Sequence, residues 1–261
     1  MRTRILSIFM FGCTTIVAQD RLFTYTYQST VLNKGQKELE VWNTLRTGRD
    51  NYYARLDHRT EYEVGLGNQL QTAFYLNLTA KSAADSIQVV TENEIGFSNE
   101  WKLKLLDPVA NPIGLALYGE YTISSKEYEL EGKLTLDKRI NNFTIALNGV
   151  YELELEPEIE NRETEWEKEH KLDGYLGIAW SVSPTFALTA EGAWKNVLEK
   201  GELEHSALFA GAGFSYVSDK FWVNFTVLPQ LKAFKGAQAG SSLDLKEFEK
   251  IQCRLLFSYV F

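Results

Sequence analysis

The chain has 261 residues but only two cysteines, five prolines and three histidines. Two cysteines exclude a disulfide scaffold and any Cys-rich metal site. No apolar run reaches the ~18–20 residues of a membrane-spanning helix. A formal net charge of −8 argues against nucleic acid as a partner. Gly-x-Ser-x-Gly, P-loop and His-Glu-x-x-His patterns are all missing. His205 stands beside Ser206, but strand alternation would turn the two to opposite faces, so they make no dyad. No catalytic residue, cofactor or metal site is expected, and the chain reads as a non-enzyme.

What is abundant is aromatic: 13% of the residues, with six Trp, thirteen Tyr and fifteen Phe. The first 18 residues form a targeting segment. Arg2 and Arg4 give a positive start, Ile5 to Phe11 an apolar stretch, and Gly12 to Ala18 a small-residue approach to Gln19. Residues 1–18 are expected to be a cleaved signal peptide and 19–261 one domain. The expected mature chain carries 25 basic and 35 acidic residues and keeps one cysteine, Cys253.

Strict period-two alternation runs down that domain. Phe143, Ile145, Leu147, Tyr151, Leu153 and Leu155 alternate with Thr144, Ala146, Asn148, Glu152 and Glu154. Ile251, Cys253, Leu255, Phe257, Tyr259 and Phe261 alternate with Gln252 and Arg254. The pattern predicts about twelve strands, at 35–47, 52–66, 70–81, 86–97, 114–124, 126–138, 142–157, 163–181, 185–197, 205–217, 220–233 and 247–261. Most match or exceed the ~9–11 residues that a tilted membrane strand needs. Tight turns near 65–68, 137–141, 181–184 and 217–220 alternate with loops expected to be longer at 48–51, 82–85, 156–163, 198–204 and 234–246. This is the pattern of an outer-membrane barrel with both termini on the periplasmic side. Residues 98–107 interrupt it. Trp101, Leu105 and Leu106 have helical spacing and Pro108 and Pro112 follow, so a short periplasmic helix is expected there, with a continuing fourth strand as the alternative.

Aromatics near strand ends (Tyr52, Tyr62, Trp180, Trp194, Tyr216, Phe221, Tyr259) fit interfacial girdles. Together with the alternating C-terminal Leu255, Phe257, Tyr259 and Phe261, they favour an all-β, closed antiparallel transmembrane barrel over a soluble sandwich. The C-terminal pattern resembles the signal read by the bacterial barrel-assembly machinery, which makes that machinery an expected partner. The expected location is the Gram-negative outer membrane, after secretion through the inner membrane, in contact with lipid and lipopolysaccharide.

Three stretches are similar to a family of uncharacterised, porin-like bacterial outer-membrane barrels. These are residues 22–48, from Leu22-Phe23-Thr24-Tyr25-Thr26-Tyr27 to Arg46-Thr47-Gly48; His58 to Leu66; and Leu106-Asp107-Pro108 with Asn111 to Ala116. The resemblance implies fold and location and carries no activity.

The inward face is charged. Glu38, Glu40 and Arg46 on the first strand neighbour Arg55, Asp57, Arg59, Glu61 and Glu63 on the second, where opposite charges can pair. Lys133, Lys171, Glu191, Lys195 and Arg254 continue the network. Two readings stay open: a structural network that fills the lumen, and a charged pore passing small solutes. A further nine glutamates between 152 and 169 read as a solvated rim rather than a cation site. The leading expectation is a passive porin-like channel. The alternative is a closed structural or adhesive barrel whose loops bind partners or lipopolysaccharide.

Overall fold

The computed structural model describes residues 21–84, 87–160 and 163–261; the expected signal peptide lies outside them. Twelve antiparallel strands close into one barrel. They are β1 (Lys37–Thr47), β2 (Tyr53–Gly67), β3 (Leu70–Ala84), β4 (Val89–Leu106), β5 (Gly114–Ser124), β6 (Tyr128–Ile140), β7 (Phe143–Glu160), β8 (Glu163–Ser183), β9 (Phe186–Glu199), β10 (Glu202–Val217), β11 (Phe221–Lys235) and β12 (Ile251–Val260). Each strand pairs with its sequence neighbours, and β12 returns to β1 from Glu38↔Val260 to Thr47↔Ile251. Closure leaves no edge, as hydrocarbon requires when no water is present to satisfy backbone groups.

Alternation sorts the side chains. Leu117, Tyr121 and Ile123 on β5, Leu130 and Leu134 on β6, and Ile145, Leu147 and Tyr151 on β7 are all exposed on the outside. An apolar surface of that extent is foreign to a soluble monomer and suits a lipid-facing wall. Aromatic pairs gather at the rim with the tighter turns. There Phe143 stacks on Trp180 with centroids 6.5 Å apart, and Phe221 stacks on Phe257 at 6.0 Å.

The short helix expected over 98–107 is not formed; β4 runs on to Leu106. Trp101, Leu103 and Leu105 keep the two-residue period and stay exposed while Lys102 turns inward. That alternation, paired against β3 and β5, outweighs the helical spacing of Trp101, Leu105 and Leu106. The chain turns instead at Asp107, whose Oδ1 accepts from the backbone N–H of Val109 and Ala110 at 2.9 and 3.3 Å. The exposed carboxyl of Asp107 is held below its usual range by the Lys104 ammonium, 2.9 Å away, and by Val109 N–H.

The rims differ less in loop length than the sequence suggests. Most of the segments read as long loops are absorbed into the strands, which leaves 236–250 as the one long connection among the described residues. At the same rim Lys200 and Gly201 both have positive φ, the two-residue hairpin form that lets β9 and β10 run on without a loop.

Candidate functional site

The barrel's core lies in its lumen, and residues 21–32 build it. This stretch precedes β1 and folds back inside the half of the barrel nearer the short turns. Each of the three buried apolar clusters contains part of it. Tyr25 sits with Phe209, Leu228 and Phe248; Tyr27 with Trp42, Tyr118 and Trp222; Leu22 and Phe23 with Ala146, Ala179 and Ala187. Phe23 is 0% exposed. It fits because β8 has Gly177 at that level, where a Cβ would stand 2.8 Å from the Phe23 ring. At Gly65 on β2 a Cβ would fall 2.1 Å from the carbonyl oxygen of Asn33, so the chain there runs against bare backbone.

Strand side chains also take up the backbone polar groups of this plug, which has no ladder of its own. Glu191 on β9 accepts from Thr24 N–H at 2.9 Å, and from Tyr25 and Thr26 N–H at 2.8 Å each. It also accepts from the hydroxyls of Thr24 and Thr226 at 3.0 and 2.7 Å. Asn148 on β7 takes both sides of Tyr27, accepting from its N–H at 2.6 Å and donating to its C=O at 2.9 Å. Asp137 accepts from Ser29 N–H and Gln71 from Leu32 N–H, at 2.9 and 2.8 Å. Asn224 donates to the carbonyl of Arg21, and Arg254 to that of Thr24. A polar lumen thus satisfies a buried, irregular segment that would otherwise carry orphaned amides.

Above the plug a vestibule of about 730 Å³ opens toward the other rim. Its floor is a cation–aromatic layer. The Arg254 guanidinium lies 4.0 Å from the Tyr25 ring centroid, and the Lys133 ammonium lies 3.8 and 4.2 Å from those of Tyr27 and Tyr118. The walls are divided by charge. Arg254, Arg46, Arg55, Arg59 and Lys81, from β12 through β3, face Glu120, Glu129, Glu131, Glu152, Glu154 and Asp173 on β5 to β8. Asp57 sits among the bases, bridged by Arg46 and Arg55 at 2.8 and 2.6 Å. Lys171 sits among the acids, bridging Glu152 at 3.0 Å, Glu169 at 3.3 Å and also Glu154. Among the described residues, fourteen acidic and ten basic side chains line the space. Below the plug a second cavity of about 30 Å³ shares only Tyr27 with the first.

The loop 236–250 folds over one side of the mouth. Phe248 meets Phe209 edge-on at 6.0 Å, the Asp244 carboxylate pairs with His205 Nδ1 at 2.6 Å, and the Asp244 backbone accepts from the Gln230 amide nitrogen at 3.0 Å and donates to its oxygen at 2.7 Å. Burial pushes the Glu249 carboxyl up, but the Arg46 guanidinium, 3.7 Å away, and Lys195 more than reverse this, so it ends below the usual carboxylate range.

The chain matches a family described as being of unknown function, DUF6662, over residues 15–261. The protein belongs to that family. No curated protein matches it in sequence. Its fold is similar to that of the NanC porin (TM-score 0.53, 12% identity, covering 85% of this chain and 98% of that one). It is also similar to the KdgM porin (TM-score 0.51, 10% identity, 86% and 99%). A third likeness is to the translocator domain of the autotransporter NalP from Neisseria meningitidis (TM-score 0.58, 12% identity, 89% and 91%). The DUF6662 chain therefore has the outer-membrane barrel fold.

The charged residues expected inside fall into three groups. Arg46, Arg55, Asp57, Arg59, Lys133, Lys171, Lys195 and Arg254 line the vestibule. Glu191 holds the plug. Glu38, Glu40, Glu61 and Glu63 lie buried in the other half of the lumen. Leu255, Phe257 and Tyr259 are exposed on the outer wall, with Phe261 beyond the end of β12. His58 hydrogen-bonds to Asn43 and Thr60, and His170 to Tyr151. Sequence reasoning missed Arg21, Gln71, Glu100, Lys102, Glu120, Asp137 and Asn148. The polar positions in Gly96, Ser98, Glu100 and Lys102 alternate like the rest and would have exposed the β4 contribution. Nothing in the short alternation of 22–27 distinguishes a plug from a thirteenth strand.

Proposed function

We propose that this barrel is a porin-like outer-membrane channel for small polar solutes, and that residues 21–32 govern passage through it. The observation that carries this reading is the vestibule, open at one end, floored by the plug and crossed by a field from a basic arc to an acidic arc. Such a field orients a dipolar solute and screens entry by charge. Passage needs no covalent chemistry, and none is assigned. The excess of carboxylates favours cations and zwitterions over anions. KdgM has been seen with a disordered oligogalacturonate; the acidic excess here makes such a polyanion a poor fit. In this reading the short-turn rim and both termini are periplasmic, and Leu255, Phe257, Tyr259 and Phe261 serve assembly into a lipid and lipopolysaccharide bilayer.

Planar-bilayer recording of the purified barrel tests this. A cation-preferring reversal potential is expected, reduced when Glu129, Glu131 and Glu152 are changed together to Gln. A barrel that never conducts, even with its plug loosened, would defeat the channel. One observation favours the second reading, a closed structural or adhesive barrel: the short-turn half of the lumen is filled. If that reading holds, shortening 236–250 should abolish surface binding and leave permeability unchanged.

A further inference from the structure

The vestibule is rich in acid, yet part of its floor is short of it. Most of the bases deep in the vestibule pair with a carboxylate: Arg46 and Arg55 with Asp57, Arg59 with Glu120, Lys133 with Glu131 and Lys171 with Glu152. Lys195 on β9 and Arg254 on β12 differ, since among the described residues neither forms an ion pair. The Lys195 ammonium lies 5.5 Å from the Phe209 ring centroid. Arg254 donates to the Thr44 hydroxyl at 2.8 Å and to the Thr24 carbonyl at 3.2 Å, both uncharged. Both cations are half-buried, where lack of a counter-charge is costly.

Two buried polar atoms at the same place lack partners among the described residues. Tyr25, on the plug, is 5% exposed, and its hydroxyl makes no hydrogen bond. Glu249, in the loop over the mouth, is 3% exposed; its Oε1 accepts no hydrogen bond, and the Arg46 guanidinium stands off at 3.7 Å. The Tyr25 hydroxyl and the Lys195 ammonium interact with the same three charges, Arg46, Arg254 and Glu249. Arg254 lies over the Tyr25 ring, and Phe209 and Phe248, beside Lys195 and Glu249, belong to the cluster that holds Tyr25. The floor therefore offers a hydroxyl donor and two cations to an anionic group, and one carboxylate oxygen to a donor. Buried groups of this kind normally have partners. A solute with positive charge alone meets Lys195 and Arg254 here, and one with negative charge alone must first pass the acid-rich walls.

We infer that the vestibule floor is a docking subsite for a small zwitterion of the α-amino acid class, with Lys195, Arg254 and the Tyr25 hydroxyl holding its carboxylate and Glu249 its ammonium. Charge-assisted hydrogen bonds at both ends fix the solute's orientation. The inference names the solute class of the channel proposed above and rests on that reading for the solute's way in. Because Tyr25 belongs to the plug, an occupant at this subsite touches the segment that closes the lumen.

Saturation-transfer NMR on the detergent-folded full-length barrel tests it with three probes of matched size. L-alanine carries both charges, propionate lacks the ammonium, and ethylammonium lacks the carboxylate. Alanine should bind saturably, propionate about tenfold or more weakly, and ethylammonium at equal concentration should not displace alanine. Lys195→Met should weaken alanine by about tenfold or more, the worth of one charge-assisted hydrogen bond, and Tyr25→Phe by about threefold. Lys232→Met, exposed and outside the vestibule lining, should leave binding unchanged. Should Lys195→Met not fold, the near-isosteric Tyr25→Phe carries the test. Absence of saturable alanine binding to the folded native barrel overturns the inference. So does propionate binding as tightly as alanine, or alanine binding undiminished in the folded variants. The assay asks nothing of conduction. A barrel that conducts but does not bind alanine loses the subsite alone, and one that binds alanine but never conducts loses the channel alone.

Discussion

Replacing Glu191 with Ala should release the plug. In the native barrel this carboxylate accepts from three consecutive amides, Thr24, Tyr25 and Thr26, all at 2.8–2.9 Å. The three residues are buried. Alanine would leave the docked plug with three orphaned N–H groups, each costing about 1–3 kcal/mol, whereas an undocked plug would give those groups to water. Such penalties are not additive, so about 3–6 kcal/mol is a reasonable loss of docking free energy. At 1.4 kcal/mol per tenfold, that shifts the docked-to-undocked ratio by roughly 10²–10⁴. Two readouts follow. Chymotrypsin should cut the variant at Phe23, Tyr25 or Tyr27, aromatic sites that the folded native barrel hides. In planar bilayers the variant should show larger or more frequent openings than the native protein. Glu191→Gln, which keeps one acceptor oxygen, should fall between them. If Glu191→Ala folds, resists cleavage and carries the native current, the carboxylate does not retain the plug and the reasoning fails.

Other perturbations probe different parts of the architecture. Gly177→Val should act on the same equilibrium sterically, because its side chain would enter the space of the Phe23 ring 2.8 Å away; chymotryptic cutting at Phe23 with the barrel still heat-modifiable on gels is the expected outcome. Leu147, 50% exposed on the outer wall, should tolerate Ala but lose about 2–4 kcal/mol as Arg, measured by reversible unfolding into urea from lipid vesicles; a neutral result would place that face in water. The loop 236–250 should loosen in acid. Its Glu249 carboxyl titrates below the ordinary range, so its stabilising contribution is complete above the unfolded value and disappears as the pH falls through the lowered one. Hydrogen exchange of residues 244–249 should therefore quicken, beyond the intrinsic pH effect, below about pH 4, and Glu249→Gln should remove that dependence.

The barrel was legible because lipid imposes a rule with no exceptions. Every strand must turn an apolar face outward, so Phe143 to Leu155 and Ile251 to Phe261 announce themselves without reference to any partner. Strand ends were nearly as readable at the short turns, where Asn68, Gln69 and Asn141 adopt positive φ. Where the reading failed, at 98–107, two periodicities competed over a few residues, and the paired neighbours β3 and β5 decided between them.

The lumen obeys no such rule, and that is why its contents stayed hidden. A polar wall is compatible with water, with its own salt bridges, or with a second stretch of chain, and alternation looks the same in all three cases. Residues 21–27 make the difficulty concrete. Phe23, Tyr25 and Tyr27 would suit a lipid-facing strand, yet in the structure Phe23 packs on Gly177 and lumen alanines, and Tyr25 and Tyr27 on aromatic and cationic side chains of the lumen. The decisive partners are single polar residues scattered over six strands, Glu191, Asn148, Asp137, Gln71, Asn224 and Arg254. None is unusual for an inward position taken alone. Their common feature is that each ends on a backbone group of one short segment, a property of closure rather than of local sequence. In a soluble domain the hydrophobic pattern points to the core. In this barrel that pattern points to the solvent, and the core assembles from what the pattern leaves over.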